Sequence, residues 1–287
     1  MSEVHVLMSP EAGRGTTAAV TTDVIERLRA LGRTVVDLTG ADADASRVNA
    51  TAAVADGAER IVVLGGDGMV HLAVQAVAGT DTALGVVAVG TGNDFVRSLP
   101  GIPDDPLDAV RVALGEPDPI DAIRVGDRWI ASVATAGFSG DVNARANRLT
   151  RPRGQSRYTV ATVLELPALR RRPTRLTVDG VTHHHDAVLL AVGNTAWFGG
   201  GMHICPHADP DDGMLDVTVV DGVGRLELLR FFNRVFKGTH LDHPKVHTHR
   251  GARIELDADV AVWGDGEPVA TGPVVLEAVP AAIRLAR

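Results

Sequence analysis

The first third of the chain alternates short apolar runs with amphipathic stretches. Val4 to Met8 is a short apolar run, and Val20, Val24, Leu28 and Leu31 then recur on one helical face. Thr34 to Leu38 reads as a second strand, and the alanine-rich stretch Ser46 to Asp56 as a helix. Ile61 to Leu64 is continuously apolar, as a strand covered on both faces must be. A helix over Met69 to Val77 and a strand over Leu84 to Val87 follow. Repeated strand–helix units of this kind predict an α/β fold with a doubly wound parallel sheet.

The rhythm changes after Pro117. Strand-like runs dominate: Trp129 to Ala134, Thr174 to Val178, Ala187 to Val192, Leu215 to Val220, Arg253 to Leu256 and Val260 to Trp263. Asp179-Gly180 is a hairpin signal between two of them. Only Tyr158 to Arg170 and Arg225 to Phe236 read as helices. The second half is therefore expected to be a mainly β sandwich. The Pro- and Asp-rich stretch at 115–120 sets the expected boundary, giving an α/β domain over 1–118 and a β-sandwich domain over 119–287. The last strand is left able to return toward the first domain. A site is expected in the cleft between the domains, beyond the carboxyl ends of the parallel strands.

Charge narrows the partners. The net charge of −8 argues against a general nucleic-acid binder. Between Arg145 and Arg175, however, nine arginines face a single acid, Glu165. That segment is either a solvated face or a surface for anionic lipid headgroups, where each arginine is worth about 1 kcal/mol. No apolar run is long enough to span a bilayer, and the N-terminus does not read as a signal peptide. The expected location is cytoplasmic with peripheral membrane contact, and a homodimer is allowed. Cys205, the only cysteine, precedes Pro206 and reads as a structural thiol. The run His183-His184-His185-Asp186 alternates sides of a strand, so at most two imidazoles share a face. His240, His243, His247 and His249 lack cysteine partners, so the histidines are read as exposed or core residues rather than as a zinc site. Gly199-Gly200-Gly201 reads as a bulge or loop.

Two loops carry the chemistry. Gly65-Gly66-Asp67-Gly68 follows a buried strand and precedes a helix. Glycine lets backbone N–H groups approach a phosphate, and the helix points its positive end at the same place. Asp67 is placed to position Mg²⁺ or to order the loop. The pattern is not that of the usual P-loop, since no G-x-x-x-x-G-K-[ST] occurs. One strand–helix unit later comes Val89-Gly90-Thr91-Gly92-Asn93-Asp94-Phe95. Thr91 and Asn93 can bond phosphate or ribose, and Asp94 can cap the next helix or join a metal–water network.

This pair of loops resembles the diacylglycerol kinase catalytic family, bacterial lipid kinases related to sphingosine kinases and more distantly to NAD kinases. Arg97, two residues after Phe95, strengthens the likeness to the lipid kinases. The resemblance implies that Ser9-Pro10-Glu11-Ala12-Gly13 forms a first nucleotide loop and that Thr39 contacts nucleotide, together with Gly65, Gly66, Asp67, Gly68, Met69, Thr91 and Asn93. It implies a structural Mg²⁺ held by Asp212 and by carbonyls near Asp209 and Met214, with Asp94 and Asp216 in the supporting network. It further implies that Asp265-Gly266-Glu267 carries the catalytic acids, although Asp265-Gly266 alone reads as a hairpin turn. The expected activity is ATP- and Mg²⁺-dependent phosphorylation of a lipid hydroxyl, with diacylglycerol as the default acceptor. A kinase of a soluble polyol or dinucleotide, or a weakened nucleotide- or lipid-binding protein, is the alternative. Met69 stands where the family has a hydroxyl, and His71 and Leu72 where it has Asn and Glu. Losing one hydrogen bond to a charged group costs about 1.5–3 kcal/mol, so weaker or altered nucleotide binding is expected.

Overall fold

The computed structural model describes residues 3–9, 16–90, 92–149, 151 and 155–287. The chain divides into two compact units, Met1–Ile120 with Ala281–Arg287, and Asp121–Pro280.

The first unit contains β1 (Glu3–Met8), α1 (Thr16–Ala30), β2 (Thr34–Asp37), α2 (Ala43–Ala55), β3 (Arg60–Gly65), α3 (Asp67–Val77), β4 (Ala83–Ala88), α4 (Asp94–Arg97) and α5 (Pro106–Ala113). Its strands are parallel in the order β2, β1, β3, β4. Near-complete burial of β3 and β4 explains their unbroken apolar sequences. Val6, Val62, Leu64 and Val87 face Val24 and Leu28 of α1 and Val110 of α5, while α2 and α3 pack together and α3 also rests on the sheet. Helix α2 starts at Ala43, ahead of the apolar pattern, because the Asp42 carboxylate accepts the Ala45 N–H. Helix α3 likewise starts at Asp67, two residues before its apolar periodicity begins.

β5 (Pro117–Val125) carries the chain into the second unit. There follow β6 (Arg128–Ile130), β7 (Val133–Gly137), α6 (Phe138–Arg148), α7 (Gln155–Glu165), β8 (Arg172–Val178), β9 (Val181–Gly193), β10 (Trp197–Phe198) and β11 (Met202–His203). The remainder is β12 (Leu215–Asp221), α8 (Arg225–Phe236), β13 (Val246–Gly251), β14 (Arg253–Asp257), β15 (Ala261–Gly264), β16 (Glu267–Thr271) and β17 (Val274–Ala286). Thirteen-residue β9 is the hub, pairing antiparallel with β8, β7 and β12. Its side chains alternate: Leu190 and Val192 join a β-rich core with Leu176, Val217 and Ile254, whereas Leu189 and Ala191 face Phe138 of α6 and Phe231 of α8. The N-terminal part of β17 pairs with β14, and its last residues run parallel to β4 in the first unit's sheet.

Two sequence expectations need correction, and one strand went unread. The strand expected over Trp129 to Ala134 is two strands, broken at Ala131 and Ser132. The helix expected to reach Arg170 ends at Glu165 and tightens into a 3₁₀ turn at Leu166–Ala168, where Pro167 cannot donate a helical hydrogen bond. Strand β13, Val-His-Thr-His-Arg-Gly, has too little apolar character to be read from sequence.

Candidate active site

In the first unit, β2 lies on one side of β1 and β3 on the other, so the direction of strand succession reverses at β1 and β3. Open α/β sheets bind ligands outside the carboxyl ends of strands at such a point. Met8 is level with Leu64, and Gly65 with Ala88, so the loops after β1, β3 and β4 leave one edge of the sheet. Of the first expected loop, Ser9 is described, whereas Pro10, Glu11, Ala12 and Gly13 lie outside the described residues. Thr39 Oγ1 accepts the Met8 N–H at 3.1 Å, tying the end of β1 to the segment after β2. The Asp37 carboxylate holds the Thr39 N–H at 2.8 Å.

The two glycine-rich loops touch. A Cβ on Gly90 would lie 2.6 Å from Gly66 Cα, so two glycines are needed for the loops to meet backbone to backbone. Gly66 caps α3, with Asp67 in the first helical turn and Gly68 exposed beside it. Asp67 Oδ1 accepts the Phe95 N–H at 3.1 Å, joining the loops through 28 residues of sequence. Asn93 takes a left-handed φ of 53°, and its Nδ2 donates to Gly90 O at 3.0 Å. Its buried Oδ1 has no hydrogen-bond partner among the described residues, an acceptor held at the loop junction. Thr91 lies outside the described residues. Asn93, not Asp94, occupies the cap position of α4; Asp94 is buried and paired with Arg97 at 2.9 Å. Met69 packs over Gly65 and covers it, while His71 and Leu72 are buried in α3, so neither of the latter departures lies on an exposed loop surface.

In the second unit the acids of Asp265-Gly266-Glu267 separate into two roles. Asp265 and Gly266 have φ of 52° and 89° and form the two-residue turn between β15 and β16. Both Asp265 oxygens are engaged, accepting the Ala131 and Ser132 N–H groups at 2.9 Å each. Those are the residues where the expected single strand breaks, so Asp265 satisfies the donors that the break leaves over. Glu267, two residues on, is exposed, and its side chain has no hydrogen bond or ion pair among the described residues.

The segment from Asp209 to Asp216 is a turn tied down by its own carboxylates. Asp209 Oδ1 accepts the Asp211 N–H at 3.1 Å, and Asp212 Oδ1 accepts the Met214 N–H at 2.9 Å. Arg250 pairs with Asp212 and approaches Asp216 Oδ2 at 3.5 Å. That buried oxygen has no hydrogen-bond partner among the described residues. Burial raises the Asp216 carboxyl above the ordinary carboxylate range, with Arg250 opposing the shift and Asp212 adding to it. The donors here are all oxygens, as a hard cation prefers, and one buried acceptor is unsatisfied; the residues fit Mg²⁺ in chemical type.

Three residues escaped sequence reasoning. Asp121 is buried, and its Oδ2 accepts the Gly213 N–H at 2.6 Å. Asn194 Nδ2 donates to Asp121 O and Ala131 O, both at 2.9 Å, linking the metal-type turn to the segment held by Asp265. Arg250 is the third. None belongs to a local motif; the separations of 92, 73 and 38 residues explain why.

The arginine-rich segment is partly neutralised. Arg145 pairs with Glu165, Arg172 with Asp141 at 2.8 Å, and Arg175 with Asp257 at 2.5 Å. Arg148, Arg151 and Arg170 are exposed, and Val160, Val163 and Leu164 of α7 are exposed apolar side chains in the same stretch. Cys205 is buried, and burial pushes its thiol up to about 12. Gly199, Gly200 and Gly201, all with positive φ, form the turn between β10 and β11. His240 is a core residue bonded to Ile204 O at 3.0 Å, whereas His183 meets His249 and His185 meets His247.

Comparison with known proteins fits this geometry. Residues 3–125 match the diacylglycerol kinase catalytic domain, and residues 132–287 match the YegS C-terminal NAD kinase beta sandwich-like domain. A diacylglycerol kinase of Mycobacterium tuberculosis is 38% identical, over 100% of this chain and 96% of its own length. A probable YegS-like lipid kinase of Pseudomonas putida is 31% identical over 84% of this chain and 81% of its own. The crystal structure of a diacylglycerol kinase from Bacillus anthracis shares the fold, with a TM-score of 0.74 at 20% identity, covering 99% of this chain and 96% of that one. The chain belongs to the diacylglycerol kinase catalytic-domain family and is a lipid kinase with a YegS-type C-terminal domain.

Proposed function

We propose that this lipid kinase transfers the γ-phosphoryl group of ATP, with Mg²⁺, to the hydroxyl of diacylglycerol, giving phosphatidic acid and ADP. The observation that carries the reading is the contact of the two glycine loops at one edge of the parallel sheet, with Asp67 bridging them. Backbone N–H groups from Gly66 to Gly68, at the positive end of α3, are suited to phosphate oxygens, and Asn93 Oδ1 to a donor on the nucleotide. Ser9, Thr39 and the residues from Pro10 to Gly13 are proposed to complete that site, with Thr91 beside Asn93.

Phosphoryl transfer asks little covalent chemistry of a protein and much positioning. The acceptor oxygen bonds to the γ-phosphorus as the bond to the β-phosphate oxygen breaks, and the hydroxyl proton must leave. Glu267 is assigned as the base, because both Asp265 oxygens already accept backbone N–H groups and Glu267 has none to give up. Asp265 is assigned as a positioning residue that holds the turn carrying Glu267. Mg²⁺ bound with the triphosphate supplies charge neutralisation. A second, structural Mg²⁺ is assigned to Asp212 with carbonyls at Asp209 and Met214, supported by Asp216. The exposed arginines 148, 151 and 170 and the apolar face of α7 support peripheral contact with an anionic bilayer.

A lipid-library assay with labelled ATP and labelled GTP tests this reading. Label from ATP is expected in phosphatidic acid, the phosphorylated product of diacylglycerol. Label confined to a water-soluble acceptor would move the activity to the polyol or dinucleotide class.

A further inference from the structure

The histidines of the second unit converge. His183 and His185 alternate onto one face of β9, and His247 and His249 onto one face of β13. The His183 and His249 rings lie 4.1 Å apart, and those of His185 and His247 lie 5.2 Å apart. Asp221 ends β12, where a register shift between Val220 and Asp221 re-aims its side chain. Its Oδ2 lies 3.3 Å from His185 Nδ1 and 3.9 Å from His247 Nε2. All three donor atoms fall within 4.8 Å of one another. Donors at about 2.0–2.1 Å around a tetrahedral ion are separated by about 3.4 Å, so small rotamer adjustments bring this triad onto one ion.

We propose that His185 Nδ1, Asp221 Oδ2 and His247 Nε2 bind a divalent transition-metal ion of the zinc type, with the fourth position open to solvent. The surroundings are arranged as such sites require. The other Asp221 oxygen is held by the Asp186 N–H at 2.9 Å, which leaves Oδ2 directed at the two imidazoles. His185 Nε2 lies 3.2 Å from His249 Nε2. When Nδ1 of His185 gives its lone pair to the metal, its Nε2–H donates to His249, the orienting contact that ligating histidines make. The His185 side chain is 7% exposed and the His247 side chain 45%, so the site has one anchored wall and one open one. The ion joins β9, the end of β12 and β13, whose sequence positions span 185 to 247. Two imidazoles and one carboxylate select the zinc class of ion over Mg²⁺, which separates this site from the all-oxygen turn at Asp212.

The test is a calorimetric titration of the full chain, without any histidine tag and stripped by chelator, with Zn²⁺. One equivalent is expected to bind, and excess Mg²⁺ to leave the titration unchanged. His247→Ala and Asp221→Asn are each expected to weaken binding at least tenfold, and His249→Ala by about 10–100-fold. Zn²⁺ should raise the melting temperature of the native chain but not that of His247→Ala, whose metal-free melting serves as the folding control. A tetrahedral Co²⁺ absorption spectrum that disappears in His247→Ala would support the site independently. Failure to bind one equivalent, competition by Mg²⁺, or full retention of binding in both His247→Ala and Asp221→Asn would overturn it.

Discussion

Replacing Gly90 by alanine probes the contact on which the proposed nucleotide site depends. The added Cβ would stand 2.6 Å from Gly66 Cα, 2.7 Å from Asn93 Oδ1 and 3.1 Å from Gly66 N. Ordinary contact begins near 3.4 Å, and two of these three neighbours are backbone. The loops must therefore separate by about 1 Å, which overpacking series place at about 1–3 kcal/mol of stability. The bridge from Asp67 to the Phe95 N–H, already 3.1 Å long, would stretch with them. A displacement of about 1 Å in a positioning element costs on the order of 10²-fold in rate. Thermal unfolding and steady-state kinetics with varied ATP read both quantities. Gly68→Ala is the matched control: its Cβ meets nothing within 4 Å, and alanine favours the first turn of α3 by up to about 1 kcal/mol. Gly68→Ala should therefore keep or raise stability while weakening ATP binding, because the methyl group enters the proposed phosphate space. A Gly90→Ala protein with native melting temperature and native kcat/KM would refute the reasoning.

The other expectations concern the second unit. Asp265→Ala leaves the Ala131 and Ser132 N–H groups without their acceptor and should cost about 1–3 kcal/mol for each donor left buried. Glu267→Gln should leave stability within about 0.5 kcal/mol but lower kcat by about 10²–10⁴-fold; the opposite assignment of losses would exchange the two roles. The Cys205 thiol, raised to about 12, should resist aromatic disulfide reagents in the native state and react on unfolding. Because its folded pKa lies above the unfolded one, its contribution to stability is complete below about pH 8.5 and is lost as pH rises toward 12, by up to about 1.4 kcal/mol per pH unit. A Cys205→Ala protein should lack that component of alkaline destabilisation. Replacing Arg148, Arg151 and Arg170 together by alanine should weaken binding to anionic vesicles at low salt by about 10²-fold, at about 1 kcal/mol each. Vesicle binding insensitive to both the substitutions and salt would exclude the electrostatic account.

Sequence patterning was most informative where one physical demand dominated. β3 and β4 are covered on both faces, so their apolar runs stand out, and the glycine loops follow from where those strands end. It was least informative where a distant partner decides the local structure. The break at Ala131 and Ser132 depends on a carboxylate more than 130 residues away, and the local strand-like run gives no hint of it. The same distance hides the division of labour in Asp265-Gly266-Glu267: the motif shows two acids, but only the fold shows that one is already committed to backbone donors. The histidines fail for a related reason. Alternation correctly limits His183 and His185 to one face, but β13 carries no strand signal, so the facing pair His247 and His249 could not be placed opposite them.

The central claim is settled most directly by identifying the product. Diacylglycerol in mixed micelles, γ-labelled ATP and Mg²⁺ should yield labelled phosphatidic acid, with the label abolished by chelation of Mg²⁺ and sharply reduced in Glu267→Gln. Label recovered only as inorganic phosphate or in a water-soluble product, with the lipid fraction blank, would contradict the account.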